Sequence, residues 1–261
     1  MEVIIQPNQE AAASLVARIV AHELRGNPQL VLGLATGQTM ECVYRHLVRL
    51  HQTAKLDFSL CRTFNLDEYV GLFPSDPNSY RHYMNHHLFR HVNVDPRNTY
   101  LPNGLATDLD EGCRLYEATI KRCGGIDLQL LGIGKAGHIG FNEPLSALRS
   151  RTRVKALTPT TLRQNAPMFG GEDKMPRRAI TMGVGTIQEC RRCILLATGA
   201  SKANVIAKAV EGPITSMISA TALQLHPRST VIVDEEAAGA LTEKDYYRWI
   251  FANEPEWEEY R

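Results

Sequence analysis

Short apolar runs recur along this chain, each released into a turn and then a segment of helical period, and no other feature constrains the fold as much. The runs are Val3 to Gln6, Leu30-Val31-Leu32-Gly33-Leu34, Cys61 to Leu66, Ile126 to Leu131, Cys193 to Thr198 and Ser229 to Asp234. Runs that are apolar throughout, not alternating, suit strands covered on both faces of a parallel sheet. Between them lie helical patterns. Asn8 is a plausible N-cap for a helix carrying Leu15, Ile19 and Leu24. Val43, Leu47 and Leu50 mark a second helix, and Asn78 to Val92 is helical in pattern. Asp108 starts a helix with Leu109, Cys113, Tyr116 and Ile120 that stops at Gly124-Gly125. Val205, Ile206 and Val210 mark another, and a tail with Tyr246, Tyr247 and Trp249 is expected to dock as a helix.

Strand and helix alternate without internal repeat, low-complexity segment or linker. The expected architecture is α/β: a single domain over residues 1–261, three-layer and Rossmann-like, with a mostly parallel sheet and helices on both faces. A chain of 261 residues can bury a sizeable core. The formal net charge of +1 gives no electrostatic case for a nucleic-acid or membrane-surface partner. No apolar run approaches a membrane span, and the N-terminus lacks the basic and apolar regions of a signal peptide. The six cysteines are scattered, so reduced thiols in a cytoplasmic protein are expected. Cys190-Arg-Arg-Cys193 has redox or half-zinc spacing, but no second pair completes a zinc site, and Cys193 opens a strand-like run.

Chemistry concentrates in Leu131-Gly132-Ile133-Gly134-Lys135-Ala136-Gly137-His138-Ile139-Gly140-Phe141-Asn142-Glu143-Pro144. Gly132-x-Gly134-x-x-Gly137 matches a dinucleotide fingerprint. That fingerprint needs a helix at its third glycine and an acidic ribose ligand about twenty residues on. Here a loop follows, and the later segment Arg151 to Lys155 is basic. A small-substrate catalytic loop is the better reading, with His138 and Glu143 as proton-transfer candidates.

Three other places carry weaker signals. Thr36-Gly37-Gln38-Thr39 lies between a strand and a helix, where backbone N–H groups can cradle a phosphate, although an ordinary turn also fits. Asp67 and Glu68 follow a core strand, where α/β proteins bind ligands, yet either could instead cap the next element. Lys202 begins a helix against the macrodipole, which makes an anion-binding duty plausible. His82, His86, His87 and His91 form i,i+4 pairs without acidic or cysteine partners, so no metal is expected. Residues 158–178, turn-rich from Pro167 to Pro176, are a candidate mobile lid.

The run Gly137 to Pro144 resembles the signature of the isomerising glucosamine-6-phosphate deaminases. The resemblance extends across nearly the whole chain. It includes Leu32 to Gly37, Phe64 to Leu72, Asn78-Ser79-Tyr80, Ser150 to Lys155, Thr181 to Thr186, Thr198 to Lys202 and Leu225-His226-Pro227. It implies a reaction without cofactor or metal: glucosamine 6-phosphate and water give fructose 6-phosphate and ammonia, in N-acetylglucosamine catabolism. In that scheme His138 assists ring opening, Glu143 orients it, and Asp67 moves the proton at C2. Thr36, Gly37, Gln38, Thr39, Gly137 and Lys202 would hold the substrate and its phosphate.

Ala136 departs from the family pattern, standing where members usually carry aspartate or asparagine, and an arginine that contacts phosphate in some members aligns near Pro167, with Arg163 close by. Hexameric members have an allosteric site for N-acetylglucosamine 6-phosphate, whose residues match Ser146, Arg153 and Lys155; the implied assembly ranges from monomer to hexamer. Three alternatives remain at this level. They are galactosamine-6-phosphate deamination, a 6-phosphogluconolactonase-like hydrolase on the same fold, and a sugar-phosphate-binding regulator without turnover.

Overall fold

The computed structural model describes residues 1–261. The N-terminal elements are β1 (Glu2–Gln6), α1 (Gln9–Gly26), β2 (Val31–Leu34), α2 (Gln38–Ala54), β3 (Arg62–Asn65) and β4 (Asp67–Tyr69). The middle holds α3 (Tyr80–His87), β5 (Thr99–Tyr100), α4 (Leu109–Arg122), β6 (Leu128–Leu131), β7 (Arg153–Ala156) and α5 (Pro159–Phe169). Then come β8 (Arg178–Thr181), α6 (Val184–Gln188), β9 (Arg192–Ala197), α7 (Ala203–Val210), β10 (Ser229–Asp234) and α8 (Lys244–Asn253).

The apolar runs pair as expected, into one seven-stranded parallel sheet with the order β1-β10-β9-β6-β2-β3-β5. Every residue of β2, β6, β9 and β10 is buried, which requires cover on both faces. One core cluster of 61 residues joins the sheet to the helices. From β2 the chain builds through β3 to β5, then returns to β6 and builds the other way. The order therefore reverses between β2 and β6, and ligands bind at such a switch point, beyond the carboxyl ends of the strands. The helix starts read correctly at Asn8, which accepts from the Ala11 N–H, and at Asp108, which accepts from the Glu111 N–H.

Several segments differ from expectation. Asp67 to Tyr69, read only as the end of a core strand, forms β4 in a second sheet, β4-β8-β7, with both pairings antiparallel. Three residues are too few to show a period of two, and their partners lie far along the chain. The basic stretch from Arg149 to Lys155 supplies β7, and Val184 to Gln188 forms α6. The helix expected over Asn78 to Val92 ends at His87 and continues as a 3-10 turn.

Much of the candidate lid is helix α5. Pro159 sits at its first position, where a missing N–H costs nothing, and Thr158 caps it through the Thr161 N–H. Pro167 falls in its last turns, and Gly170 ends it in the left-handed region. Only residues 170–176 keep the turn-rich character read from the sequence.

The tail docks, and of the three residues expected to anchor it only Tyr247 packs against the core. Tyr246 and Trp249 are 57% and 58% exposed. Trp257 is the anchor: it is fully buried against Phe251 and Tyr260, with the Arg192 guanidinium 5.7 Å above its ring. Trp257→Ala should lower the stability of the whole domain by about 3–5 kcal/mol, read as a lower urea midpoint at unchanged slope. An unchanged midpoint would show that the tail lies outside the cooperative unit.

Candidate active site

The loops after β2, β3 and β6 meet at the switch point. Asp67 is held there by the second sheet, where it pairs with Thr181 of β8. Its carboxylate accepts the Phe141 N–H at 3.2 Å and lies against the Thr181 hydroxyl. Burial pushes its carboxyl up to about 6, against the pull of those hydrogen bonds and of His138. Asp67 and Glu68, ambiguous in sequence, separate here. Glu68 accepts the N–H groups of Tyr69, Tyr80 and Arg81, two of them in the first turn of α3. That carboxylate is a cap, which leaves Asp67 for chemistry.

The loop after β6 is shaped to bring an imidazole beside that carboxylate. The Gly134 N–H donates to the His138 carbonyl, and the Gly137 N–H to the Gly134 carbonyl. A Cβ on Gly134 would lie 2.0 Å from His138 Nε2, so only glycine leaves the ring its place. Gly140, with φ +55°, has the same duty towards the base: a Cβ there would sit 3.1 Å from Asp67 Oδ1. His138 Nδ1 lies 3.2 Å from Glu143 Oε2, and neither atom has a well-aligned hydrogen-bond partner elsewhere.

Glu143 Oε1 is held by α5, accepting from the Thr161 hydroxyl at 2.5 Å and from the Thr158 hydroxyl at 3.2 Å. Burial raises the Glu143 carboxyl, but the hydrogen bonds from His138 and Thr161 outweigh it and hold the group at about 2. Glu143 is therefore a fixed anion at neutral pH, and the imidazole facing it is oriented by charge.

The residues expected to hold a phosphate lie at two helix starts. Gly37 precedes α2 with φ +109°, no side chain caps that helix, and the Tyr83 hydroxyl donates to the Gly37 carbonyl. Thr36, Gln38 and Thr39 are all at least partly exposed, leaving first-turn N–H groups open to an anion. Lys202 stands across β6 at the start of α7, which also has no side-chain cap. Its ammonium donates to the Ile133 carbonyl at 2.6 Å, within the catalytic loop. Burial and the neighbouring Lys135 charge lower its pKa. Sequence reading passed over Lys135, Thr158, Thr161 and Gly140; only the Thr158-x-x-Thr161 spacing carried a local signal, that of a cap.

Gly137 is buried against Ile218, its N–H is used within the loop, and its carbonyl accepts the Ala220 N–H. Ser146, Arg153 and Lys155 lie beside the catalytic loop, not in it. Arg153 donates to the Asn142 side chain at 2.9 Å, one residue before Glu143. Ser146 is buried with no partner for its hydroxyl. Ala136 sits in the turn before Gly137 and brings no polar group to the pair, while Arg163 and Pro167 are exposed on α5. The α3 histidines pack together, with His82 and His86 stacked at 6.5 Å and His91 bonded to the His86 carbonyl. All six cysteines are unpaired. A groove of about 920 Å³, between α4 and the Arg151–Thr152 segment, contains none of the residues that meet at the switch point.

Comparison with known proteins converges on one family. A glucosamine-6-phosphate deaminase of Hahella chejuensis is 50% identical over 250 residues, covering 96% of this chain and 95% of that one. One from Arthrobacter sp. (strain FB24) is 47% identical over 258 residues, covering 99% of each. The solved structure of a monomeric glucosamine-6-phosphate deaminase superposes with a TM-score of 0.90 at 46% identity, over 92% of this chain and 100% of that one. The 6-phosphogluconolactonase of Trypanosoma brucei, at 19% identity and a TM-score of 0.74 over 92% of this chain and 98% of its own, shares the fold. The family model for glucosamine-6-phosphate isomerases and 6-phosphogluconolactonase matches residues 7–232, and the chain belongs to that family.

Proposed function

We propose that this protein is an enzyme that converts glucosamine 6-phosphate and water into fructose 6-phosphate and ammonia, in amino-sugar catabolism. The observation that carries the reading is the meeting of two separate proton-handling devices at the switch point. Asp67 is a buried, weakly acidic carboxylate, and His138 is an imidazole oriented by the fixed anion Glu143. The isomerisation needs both: a group to shuttle the ring hydroxyl proton, and a distinct base at the carbon acid.

The phosphate binds at the open turn Thr36–Thr39 and Lys202. His138 opens the pyranose ring. Asp67 takes the C2 proton, giving the enolamine, and returns it to C1. Water then hydrolyses the resulting imine, the C2–N bond breaks, and ammonia leaves. Ala136 gives the ring-opening step no third member, so the His138–Glu143 pair acts alone, with Thr158 and Thr161 holding the carboxylate. Residues 158–178 act as a lid over the site. The lid rests on a satellite cluster of six residues, including Phe141, Leu157, Leu162 and Met175, apart from the main core. The six free thiols support a reducing, cytoplasmic setting.

Ammonia release from glucosamine 6-phosphate, assayed beside galactosamine 6-phosphate and opening of 6-phosphogluconolactone, tests the proposal. The gluco substrate is expected to be preferred; no ammonia from either amino sugar would sink it. Asp67→Asn should abolish turnover while sugar-phosphate binding persists. In the wild type kcat/KM should rise with pH through about 6, as the base loses its proton.

The same carboxylate makes a stability prediction. Its folded-state pKa, about 6, lies above the ordinary 3.8, so the native state binds more protons than the unfolded chain between those values. Stability from this group therefore falls as pH rises, by about 3 kcal/mol in full. Relative to wild type, Asp67→Asn should gain stability between pH 4 and pH 7, measured by urea unfolding at both.

Regulation is a second reading, supported by a half-buried Arg153 that pairs with no carboxylate and by the orphaned Ser146 hydroxyl. N-acetylglucosamine 6-phosphate would bind them with Lys155 and act on Glu143 through Asn142. It should shift the substrate saturation curve. An unchanged curve removes this reading and leaves the catalytic one standing.

A further inference from the structure

Away from the switch point, α1 and α2 bring together three side chains that have no part in the proposed reaction. Cys42 and His46 are one turn apart on α2, so they share a face. Glu10, in the first turn of α1, reaches across to both: Cys42 Sγ is 3.0 Å from Glu10 Oε2, and His46 Nε2 is 3.0 Å from Glu10 Oε1. All three donor atoms lie within 4.8 Å of one another. His46 is 7% exposed, and its Nε2 is buried without a well-aligned hydrogen bond, although it faces the carboxylate. The buried imidazole nitrogen and the thiol thus converge on one exposed carboxylate.

We propose that Glu10, Cys42 and His46 form a binding site for a thiophilic divalent transition metal of the zinc class. Tetrahedral bonds of about 2.3 Å to sulfur and 2.0–2.1 Å to nitrogen and oxygen set ligand atoms about 3.3–3.6 Å apart. The 3.0 Å contacts reach different oxygens of Glu10, so the exposed Glu10 carboxylate must turn to set one oxygen between Cys42 and His46 for the three donors to close on a single ion. A thiolate with an imidazole and one carboxylate selects zinc-like ions over magnesium or calcium, which favour all-oxygen shells. Three protein ligands leave a fourth position for water.

Burial lowers the His46 pKa, leaving its nitrogen lone pair free at neutral pH. Burial and Glu10 raise the Cys42 thiol, so coordination must expel its proton: Cys–SH and M²⁺ give Cys–S–M⁺ and H⁺, with no redox change. Affinity should accordingly rise with pH. Arg45, 3.8 Å from Glu10, competes for the carboxylate. The site joins α1 to the helix whose first turn is assigned to the phosphate.

The test is titration of the reduced full-length protein with Co²⁺, followed by thiolate-to-cobalt charge-transfer absorption in the near ultraviolet, and then displacement by Zn²⁺. One Co²⁺ per chain should develop the band, and Zn²⁺ should bleach it. Cys42→Ser should remove the band, and Glu10→Gln, a surface change that leaves the core intact, should weaken binding about tenfold or more. Arg45→Gln should tighten it. The double variant Cys190→Ser and Cys193→Ser should behave as wild type. No band in the wild type, a band that survives Cys42→Ser, or wild-type affinity in Glu10→Gln would each overturn the assignment.

Discussion

The site depends on keeping one carboxylate out of water without neutralising it. Taking Asp67 into the protein opposes its ionisation, and a lone buried anion would simply protonate. Here the cost is partly offset by the Phe141 N–H, the Thr181 hydroxyl and the charge of His138. The balance leaves the group near pH 6, not at either extreme. Each compensating group has its own structural support. Phe141 is presented by a loop that only glycine at position 140 allows so close, and Thr181 by the β4–β8 pairing. The small antiparallel sheet is thus best understood as a mount for Asp67.

A second carboxylate a few residues from His138 is treated in the opposite way. Glu143 is as buried as Asp67, yet it sits near 2 because it has a cationic-capable imidazole on one oxygen and two hydroxyls on the other. Two acids in one pocket, with environments pushing them apart, divide the labour. One stays charged and orients, while the other exchanges its proton within reach of neutral pH. The hydroxyls that hold Glu143 down belong to the start of α5, so the position of that helix and the charge state of the pair are linked by direct contact.

The sheet was legible in the sequence because its strands are buried on both faces, and a continuous apolar run survives any ambiguity of period. The helices with side-chain caps at Asn8 and Asp108 were legible for an equally local reason. What escaped was long-range. β4 has three residues and no signature of its own until β8 is placed against it. Thr161 carries only the spacing of a helix cap until α5 brings it to Glu143. Gly140 and Gly134 looked like loop glycines; their meaning is the side chain each makes room for, which no local pattern reports. Tyr246 and Trp249 drew attention as aromatics, while the load fell on Trp257, because helix periodicity around a short tail does not say which face meets the core.

The same geometry accommodates the absence of a polar side chain at Ala136. A third acid near His138 would add negative charge beside an imidazole that already faces a full anion. With Glu143 fixed by two threonines, orientation of the ring does not need a further partner. What a third group would add is a second route for the ring proton, and that route can be supplied by solvent, because His138 retains some exposure while Glu143 has almost none. The chain therefore keeps the two features that need burial, the anchored anion and the tuned carboxylate, without a third polar group beside them.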